Sequence, residues 1–364
     1  MPRGWAGWLA ALARLTLICL LLMAITLIPS RMPGVSYSGP LAPLSGAERS
    51  MAQQLSRHVH ALAEEIGVRN IWRHKSMAKT VAYLEGEFAA LGYAVRRLPY
   101  EVDGIKGTNL EVEIGGGEKS SEIVLVGAHY DTVAGCPGAN DNGSGLAVLL
   151  ELARLLAGRQ PQRTIRLVAF ANEEAPFFRG QAMGSGVYAR AARKQGEDIR
   201  AMLALETMGY YSDEPASQHY PFPLGYFYPD RANFIAFVGN IGSRQLVRQT
   251  IGAFRRHGQF PSEGLAAPAF VTGVSWSDHR SFWQQGYPAI MVTDTAFYRY
   301  SAYHSPQDTA EKLDYERLAR VVSGLGPTIL ELAATSPEGD QRRQEKSRGN
   351  SEAGRGNKGR EGRP

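Results

Sequence analysis

The stretch Ile123–Glu151, IVLVGAHYDTVAGCPGANDNGSGLAVLLE, predicts a strand, a polar loop and a helix in direct succession. Its first four residues are Ile, Val, Leu and Val, which is typical of a strand buried on both faces of a sheet. The loop is rich in Gly, Pro and Asn, and apolar positions at helical spacing run from Gly145 to Leu156, with Ser144 placed to cap the helix. Together these elements form half of a βαβ unit. Ligands of such sheets bind beyond the carboxyl ends of the strands.

The rest of the chain continues the alternation of strands and helices. Helices are predicted at residues 46–65, 76–91, 183–194, 243–257 and 315–334. Strands are predicted at residues 94–100, 108–114, 164–171, 201–205, 234–238 and 289–292. This order predicts the α/β fold class: a single three-layer α/β/α domain around a mixed, mostly parallel sheet.

Composition divides the chain into four parts. Residues 1–30 carry Arg3 and Arg14 before the apolar run LTLICLLLMAITLIP, without a clear cleavage site, and this predicts an N-terminal signal anchor. Residues 31–47, rich in Pro, Gly and Ser, predict a linker. Residues 48–335 form the predicted globular domain. Residues 336–364 lack apolar anchors and predict a disordered basic tail.

The net charge and the N-terminal segment limit which partners and which cellular location can be predicted. The net charge is +5, but the tail alone carries eight Lys or Arg against five Asp or Glu, which leaves only +2 for the rest. No nucleic-acid partner is therefore predicted. Basic residues before the apolar run place the domain outside the cytoplasm, periplasmic or extracellular, and attached to the membrane through the anchor. The alternative is secretion after signal cleavage. The oligomeric state stays open.

Acidic and imidazole side chains recur after the predicted strands. They are His129, Asp131, Asp141, Glu173, Glu174, Glu206 and His304. Clustered carboxylates repel one another and raise one another's pKa, and a bound divalent cation offsets this repulsion. Mixed imidazole and carboxylate ligands suit zinc, and two zinc ions could share Asp141. Glu173, adjacent to the candidate ligand Glu174, could take a proton from water.

Six motifs resemble, in order and spacing, the co-catalytic zinc aminopeptidases of the M28 peptidase family. They are GAHYDT, GANDNGSG, ANEE, LETMGYY, SDHRSFW and YHSPQDTAEKLDYE, and the resemblance covers about Ser76 to Ala334. The resemblance implies two zinc ions per chain, a peptide or aminoacyl substrate, and hydrolysis of the N-terminal peptide bond. Known members carry Asp at the position of Glu206, which places the same carboxylate here on a longer arm.

The resemblance also implies a role for each residue. His129 and Glu206 would bind one zinc ion. Glu174 and His304 would bind the other, with Asp141 as the bridge. Glu173 would act as general base, and Asp131 would orient His129.

Two alternative functions stay open. The same fold could hold a single-zinc aminoacyl transferase of the glutaminyl cyclase type, or a metal-free binding ectodomain. Cys136 could act as a nucleophile, although a spectator role in its loop is favoured. The pair Asp278-His279 could also face the site, but it is left unassigned because an N-cap at Asp278 explains it nearly as well. His219 and His257 are predicted to be surface residues.

Overall fold

A computed structural model of the chain describes residues 4–5, 7–14, 16 and 32–334. Within them, the helices are α1 (Gly46–His60), α2 (His74–Ala90), α3 (Gly145–Leu156), α4 (Gly184–Lys194), α5 (Arg244–His257), α6 (His279–Gln284) and α7 (Tyr315–Ala333). The strands are β1 (Arg96–Val102), β2 (Ile105–Ile114), β3 (Lys119–His129), β4 (Arg163–Phe170), β5 (Asp198–Glu206), β6 (Ile235–Gly239), β7 (Ser262–Ala266) and β8 (Ala289–Thr293). A short π-type turn, Ala61–Ile66, extends α1.

All eight strands form one sheet in the order β1-β2-β4-β3-β5-β8-β6-β7. The four central strands, β4, β3, β5 and β8, are mutually parallel. Antiparallel pairing joins β2 to β4 and β6 to β8, and β7 runs parallel to β6. The prediction of a mixed, mostly parallel sheet is therefore confirmed. The carboxyl ends of the four central strands meet at one edge.

Helices cover both faces of the sheet, and β3 shows why. Val124 and Val126 belong to a core that contains residues of α1, α2, α3, α5 and α7. Ile123 and Leu125 belong to a second core, on the opposite face, with residues of α4 and α6. Successive side chains of a strand point to opposite faces, so an unbroken apolar run requires a cover on each side. This confirms the three-layer architecture.

One local prediction was wrong, and one strand was missed. Ser144 does not cap α3; the Gly145 N–H donates to Asn142 Oδ1 at 3.1 Å, and the Ser144 hydroxyl donates to the Asn140 carbonyl at 2.7 Å. Asp278, which the sequence left unassigned, precedes α6 and makes no capping hydrogen bond. The strand β7 was not predicted, because a five-residue segment with Gly at its centre carries too weak a pattern.

Of the three predicted segments outside the globular domain, the linker is the one that the structure describes best. Most of the predicted anchor, 1–30, and the whole predicted tail, 336–364, lie outside the described residues. No helix in the described part of the chain is long and apolar enough to cross a membrane. Part of the predicted linker packs against the domain: the Pro33 carbonyl accepts a hydrogen bond from Arg255, and Ser36 Oγ accepts one from the Ser262 N–H.

Candidate metal centre

The carboxyl ends of β3, β4 and β5 bring the predicted site residues together. His129 is the last residue of β3 and Glu206 the last of β5, while Glu173 and Glu174 lie three and four residues beyond β4. Asp141 enters from the loop before α3. These five residues are buried, each no more than 5% exposed.

Two groups of three ligand atoms surround the carboxylate of Asp141. On one side, His129 Nε2 lies 3.2 Å from Asp141 Oδ1 and 3.3 Å from Glu206 Oε2. On the other side, His304 Nε2 lies 3.0 Å from Asp141 Oδ2 and 3.3 Å from Glu174 Oε1. Each group holds one imidazole nitrogen, one terminal carboxylate and one oxygen of Asp141. The grouping is the one that the family resemblance implies.

These groups fit zinc in two respects. At zinc–ligand distances of about 2.0–2.2 Å, two ligand atoms of a tetrahedral site lie about 3.3–3.6 Å apart, close to the separations found here. In addition, His129 Nε2, both oxygens of Asp141 and Glu174 Oε1 are buried without a hydrogen-bond partner among the described residues. Four adjacent buried polar atoms without a partner are costly unless a cation binds them.

The tautomer of His129 suits ligation. Its Nδ1 donates to the backbone carbonyl of Asp131 at 3.1 Å, which leaves the lone pair of Nε2 directed at Asp141 and Glu206. The Asp131 carboxylate itself is farther from Nδ1, at 3.6 Å. It accepts instead the N–H groups of Glu173 and Glu174, each at 2.9 Å. Asp131 thus joins β3 to the loop after β4 and fixes the backbone of both glutamates.

Charges in the site are strongly coupled. Burial and the neighbouring Asp141 raise the pKa of Glu174 to about 8. Burial also raises the pKa of Glu173 well above its ordinary value and that of Glu206 above its own. Burial disfavours ionisation of Asp141 too, but the adjacent imidazoles of His129 and His304 hold its pKa below the ordinary value. In the absence of a cation, the histidines provide the compensating positive charge.

His304 is the most exposed member of the group. Its side chain is 38% exposed, and its ring stacks on Tyr303 with 3.9 Å between the centroids. Burial alone would lower its pKa, but Asp141 and Glu174 raise that pKa to about 10. A half-open ligand at the edge of the centre leaves a route for substrate and water.

A layer of buried polar residues that the motifs did not assign supports the loop of Asp141. Asp308 accepts the backbone N–H groups of Asn140 at 2.8 Å and Asp141 at 3.0 Å. The side chain of Asn140 donates to Asp294 at 2.8 Å. Arg69 is fully buried, and its guanidinium donates to the carbonyls of Leu62, Gly67, Tyr130, Pro137 and Gly138. Asn140, inside GANDNGSG, and Asp308, inside YHSPQDT, belong to motifs that contain a candidate ligand, whereas Arg69 and Asp294 do not.

Ser277 and Asp278 approach the same centre from the loop before α6. The Ser277 hydroxyl donates to Glu206 Oε2 at 2.7 Å, and this bond fixes the longer glutamate arm. Asp278 is buried, and burial raises its pKa to about 7. The motif SDHRSFW could have suggested Ser277, which directly precedes the unassigned pair.

The remaining polar candidates lie outside the centre or take no part in it. Cys136 is buried, its Sγ lies 3.8 Å from Asp308 Oδ2, and burial raises the pKa of its thiol. A thiol held neutral is a poor nucleophile, which supports the spectator interpretation. His219 and His257 are exposed, as predicted.

Comparisons with known proteins agree with this geometry. The model of peptidase family M28 matches residues 109–328. The uncharacterized protein YfbL of Escherichia coli K12 is 38% identical over 282 residues, 75% of this chain and 86% of that protein. A probable aminopeptidase of Saccharomyces cerevisiae is 27% identical over 239 residues, 62% of this chain but only 57% of that protein.

Solved structures share the fold at low sequence identity. The zinc aminopeptidase BSAP from Bacillus subtilis matches with a TM-score of 0.62 and 16% identity, covering 78% of this chain and 95% of that structure. A glutaminyl cyclase from Fimbriiglobus ruber matches with a TM-score of 0.56 and 20% identity, covering 81% and 97%. The fold therefore occurs both in aminopeptidases and in glutaminyl cyclases. The fold alone does not distinguish the two activities, so the side chains of the site have to be compared.

Proposed function

Because this chain belongs to peptidase family M28, we propose that it is a zinc-dependent aminopeptidase that removes N-terminal residues from peptides. The observation that carries the proposal is the pair of three-atom groups that share the carboxylate of Asp141. A centre with two equivalent groups suits two metal ions, whereas a single-zinc centre needs only one of them. Curated relatives named as aminopeptidases support the same conclusion.

We assign two zinc ions per chain. His129, Glu206 and Asp141 would hold one, and His304, Glu174 and Asp141 would hold the other. When bound, the pair would polarise the peptide carbonyl, lower the pKa of a water molecule and receive the free α-amine of the substrate.

Glu173 would act as the general base. Its backbone is fixed by Asp131, and its carboxylate is buried beside the ligands without belonging to either three-atom group. A base with a raised pKa accepts a proton from the attacking water and can return it to the leaving amine. Asp131 would serve as a positioning residue, because it holds both the base and the ligand Glu174 in place.

For location we propose that residues 1–30 anchor the chain and place the domain outside the cytoplasm. The support is the sequence alone: basic Arg3 and Arg14 precede a long apolar run without a clear cleavage site. Secretion after cleavage is the alternative.

The activity is tested with matched peptides. The zinc-loaded chain is incubated with a peptide that has a free N-terminus, with its N-acetylated form, and with a peptide that begins with glutamine. We expect residue-by-residue release from the free peptides and none from the acetylated one. Cyclisation of the glutamine peptide without hydrolysis would instead identify a cyclase, and the absence of any reaction would favour a binding ectodomain.

A further inference from the structure

An apolar pocket opens directly beside the metal centre. Glu206 lies at its inner end, and its walls include Tyr220, Tyr228, Phe234, Val274, Trp276 and Phe297, which we call the aromatic pocket. Its floor is the sheet surface of β8, β6 and β7. A substrate whose N-terminal residue is held at the centre would direct its side chain into this pocket.

One acidic residue, Glu263, lies in the floor of this pocket, away from the metal centre. Glu263 is on β7, where alternate residues point to opposite faces, and both it and Leu265 line the pocket. The sheet register places Glu206 opposite Thr293, Thr293 opposite Ala236, and Ala236 opposite Glu263. All four line the pocket, so the two glutamates stand in one row on one face, three strand spacings or about 14 Å apart.

The Glu263 carboxylate has no close partner of its own. Among the described residues, none donates a hydrogen bond to it or lies within ion-pair distance, and burial raises its pKa. Arg255 is the cation whose charge acts on the Glu263 carboxylate. Its guanidinium forms hydrogen bonds to other groups: it donates to the Ser262 carbonyl at 2.7 Å and to the Pro33 carbonyl at 3.1 Å. An unpaired carboxylate in an apolar pocket is costly unless a bound group pairs with it.

We propose that the aromatic pocket takes the side chain of the substrate's N-terminal residue and that Glu263 selects lysine or arginine there. This inference rests on the proposed aminopeptidase function. The pocket offers aromatic walls for an aliphatic stem or a guanidinium plane, including the stacked rings of Tyr220 and Tyr228, 5.7 Å apart. Its end offers a carboxylate for a cationic head, and such charge-assisted hydrogen bonds are among the strongest in proteins.

The dimensions agree with a long side chain. An extended lysine spans about 6 Å from Cα to Nζ. Contacts of about 3 Å at each end, to the metal centre and to Glu263, bring the total to about 12 Å, against about 14 Å between the strand positions of the two glutamates. A leucine would fill the inner part of the pocket and leave the partly buried carboxylate of Glu263 without a partner, which disfavours binding of leucine.

The test compares lysine, arginine and norleucine p-nitroanilides on the zinc-loaded full chain. Norleucine keeps the aliphatic stem and lacks the cationic head. We expect kcat/KM for lysine and arginine to exceed that for norleucine at least about tenfold. In Glu263→Gln the lysine and arginine values should fall about 10- to 100-fold, while the norleucine value stays within about threefold. Glu214→Gln, which removes the same charge from an exposed position, should leave all three unchanged.

Three outcomes would overturn the assignment. A parental enzyme that hydrolyses norleucine as well as lysine contradicts it without any variant, so the test does not depend on the folding of Glu263→Gln. An unchanged lysine-to-norleucine ratio in Glu263→Gln contradicts it as well. Both of these leave the aminopeptidase function standing, whereas failure to hydrolyse any free aminoacyl substrate removes that function and this inference with it.

Discussion

At the scale of single residues, the adjacent glutamates Glu173 and Glu174 have different proposed roles in the centre. Asp131 accepts both of their N–H groups and so fixes the backbone of the pair. The side chain of Glu174 reaches His304 at 3.3 Å, whereas Glu173 belongs to neither ligand group. Neighbouring residues of the same type can therefore differ sharply in what their loss does.

Glu173→Gln should retain zinc and lose turnover. The substitution removes a proton acceptor without removing a proposed ligand, and loss of a general base costs about a hundredfold or more. Glu174→Gln is the matched control and should lose zinc instead. Zinc content by mass spectrometry and kcat are measured on both variants. Near-parental turnover in zinc-loaded Glu173→Gln would rule out the base assignment.

The ligand candidates could be predicted from sequence because each follows a strand whose apolar pattern is strong. Ser277, Asp308 and Arg69 could not be predicted in the same way, because their partners are distant in sequence. Ser277, for example, reaches Glu206 across 71 positions. Asp131 was predicted to orient His129, and the backbone carbonyl of Asp131 lies closer to His129 Nδ1 than its carboxylate does.

At the scale of elements, Arg69 connects three parts of the fold. Its guanidinium donates to the turn after α1, to the segment just beyond β3 and to the loop that carries Asp141. Gly138 in that loop has φ of 66°, and a Cβ there would lie 2.3 Å from Thr132 Cγ2. The conformation of this loop is thus constrained by the buried guanidinium of Arg69 on one side and by the close approach of Thr132 on the other.

Arg69→Met should therefore destabilise the fold and weaken zinc binding. The variant leaves several buried carbonyls without donors, at a cost of about 3–5 kcal/mol in the free energy of unfolding. Arg97→Met, which removes an exposed ion pair with Glu85, should leave the free energy of unfolding almost unchanged. Urea unfolding and zinc titration measure both effects. Equal stability of the two variants would contradict this role of Arg69.

The elements themselves could be predicted where periodicity was strong. The bounds of α3, Gly145–Leu156, agree at both ends, and those of α7 agree to one residue. The cap of α3 was mispredicted because the polar loop offers two side-chain acceptors, Asn142 and Ser144, for the first N–H groups of the helix, and tertiary contacts decide between them. Ser144 Oγ accepts instead the N–H of Met208 at 2.8 Å, a partner from another strand's end.

At the scale of the whole molecule, stability should fall with acid in part through His279. This residue is fully buried, its Nε2 donates to the Val274 carbonyl at 2.8 Å, and burial lowers its pKa to about 4 from the ordinary 6.5. Between these values the unfolded chain binds a proton that the folded chain does not. The stabilisation is complete above about pH 6.5 and is lost as the pH falls toward about 4, by roughly 3 kcal/mol in total.

His279→Gln should flatten that acid decline by roughly 1 kcal/mol per pH unit near pH 5. Its amide can still donate to the Val274 carbonyl but does not titrate. Unfolding free energies of the metal-free proteins at a series of pH values provide the measurement. His219→Gln, at an exposed position, should keep the parental slope. Parallel curves for the parent and His279→Gln would show that His279 is not buried in its neutral form.

Location is the second property of the whole chain that can be tested. The full chain should sediment with membranes, and deletion of residues 1–31 should release a soluble, active domain, since every proposed site residue lies between His129 and His304. Cell fractionation and N-terminal sequencing provide the readout. A freely soluble mature protein that begins near residue 31 would show a cleaved signal instead of an anchor.

Asp141 is the residue on which the account of a two-zinc aminopeptidase depends most directly. It alone contributes an oxygen to both ligand groups, and Asp141→Asn keeps its volume while removing its charge. The deciding measurement is a zinc titration of the metal-free parent and of Asp141→Asn, with aminopeptidase activity followed at each step. We predict two zinc ions and full activity for the parent, and weakened binding of both ions with loss of nearly all activity for the folded variant. A parent that reaches full activity with one zinc ion, or a variant that binds two with parental affinity, would contradict the bridged centre.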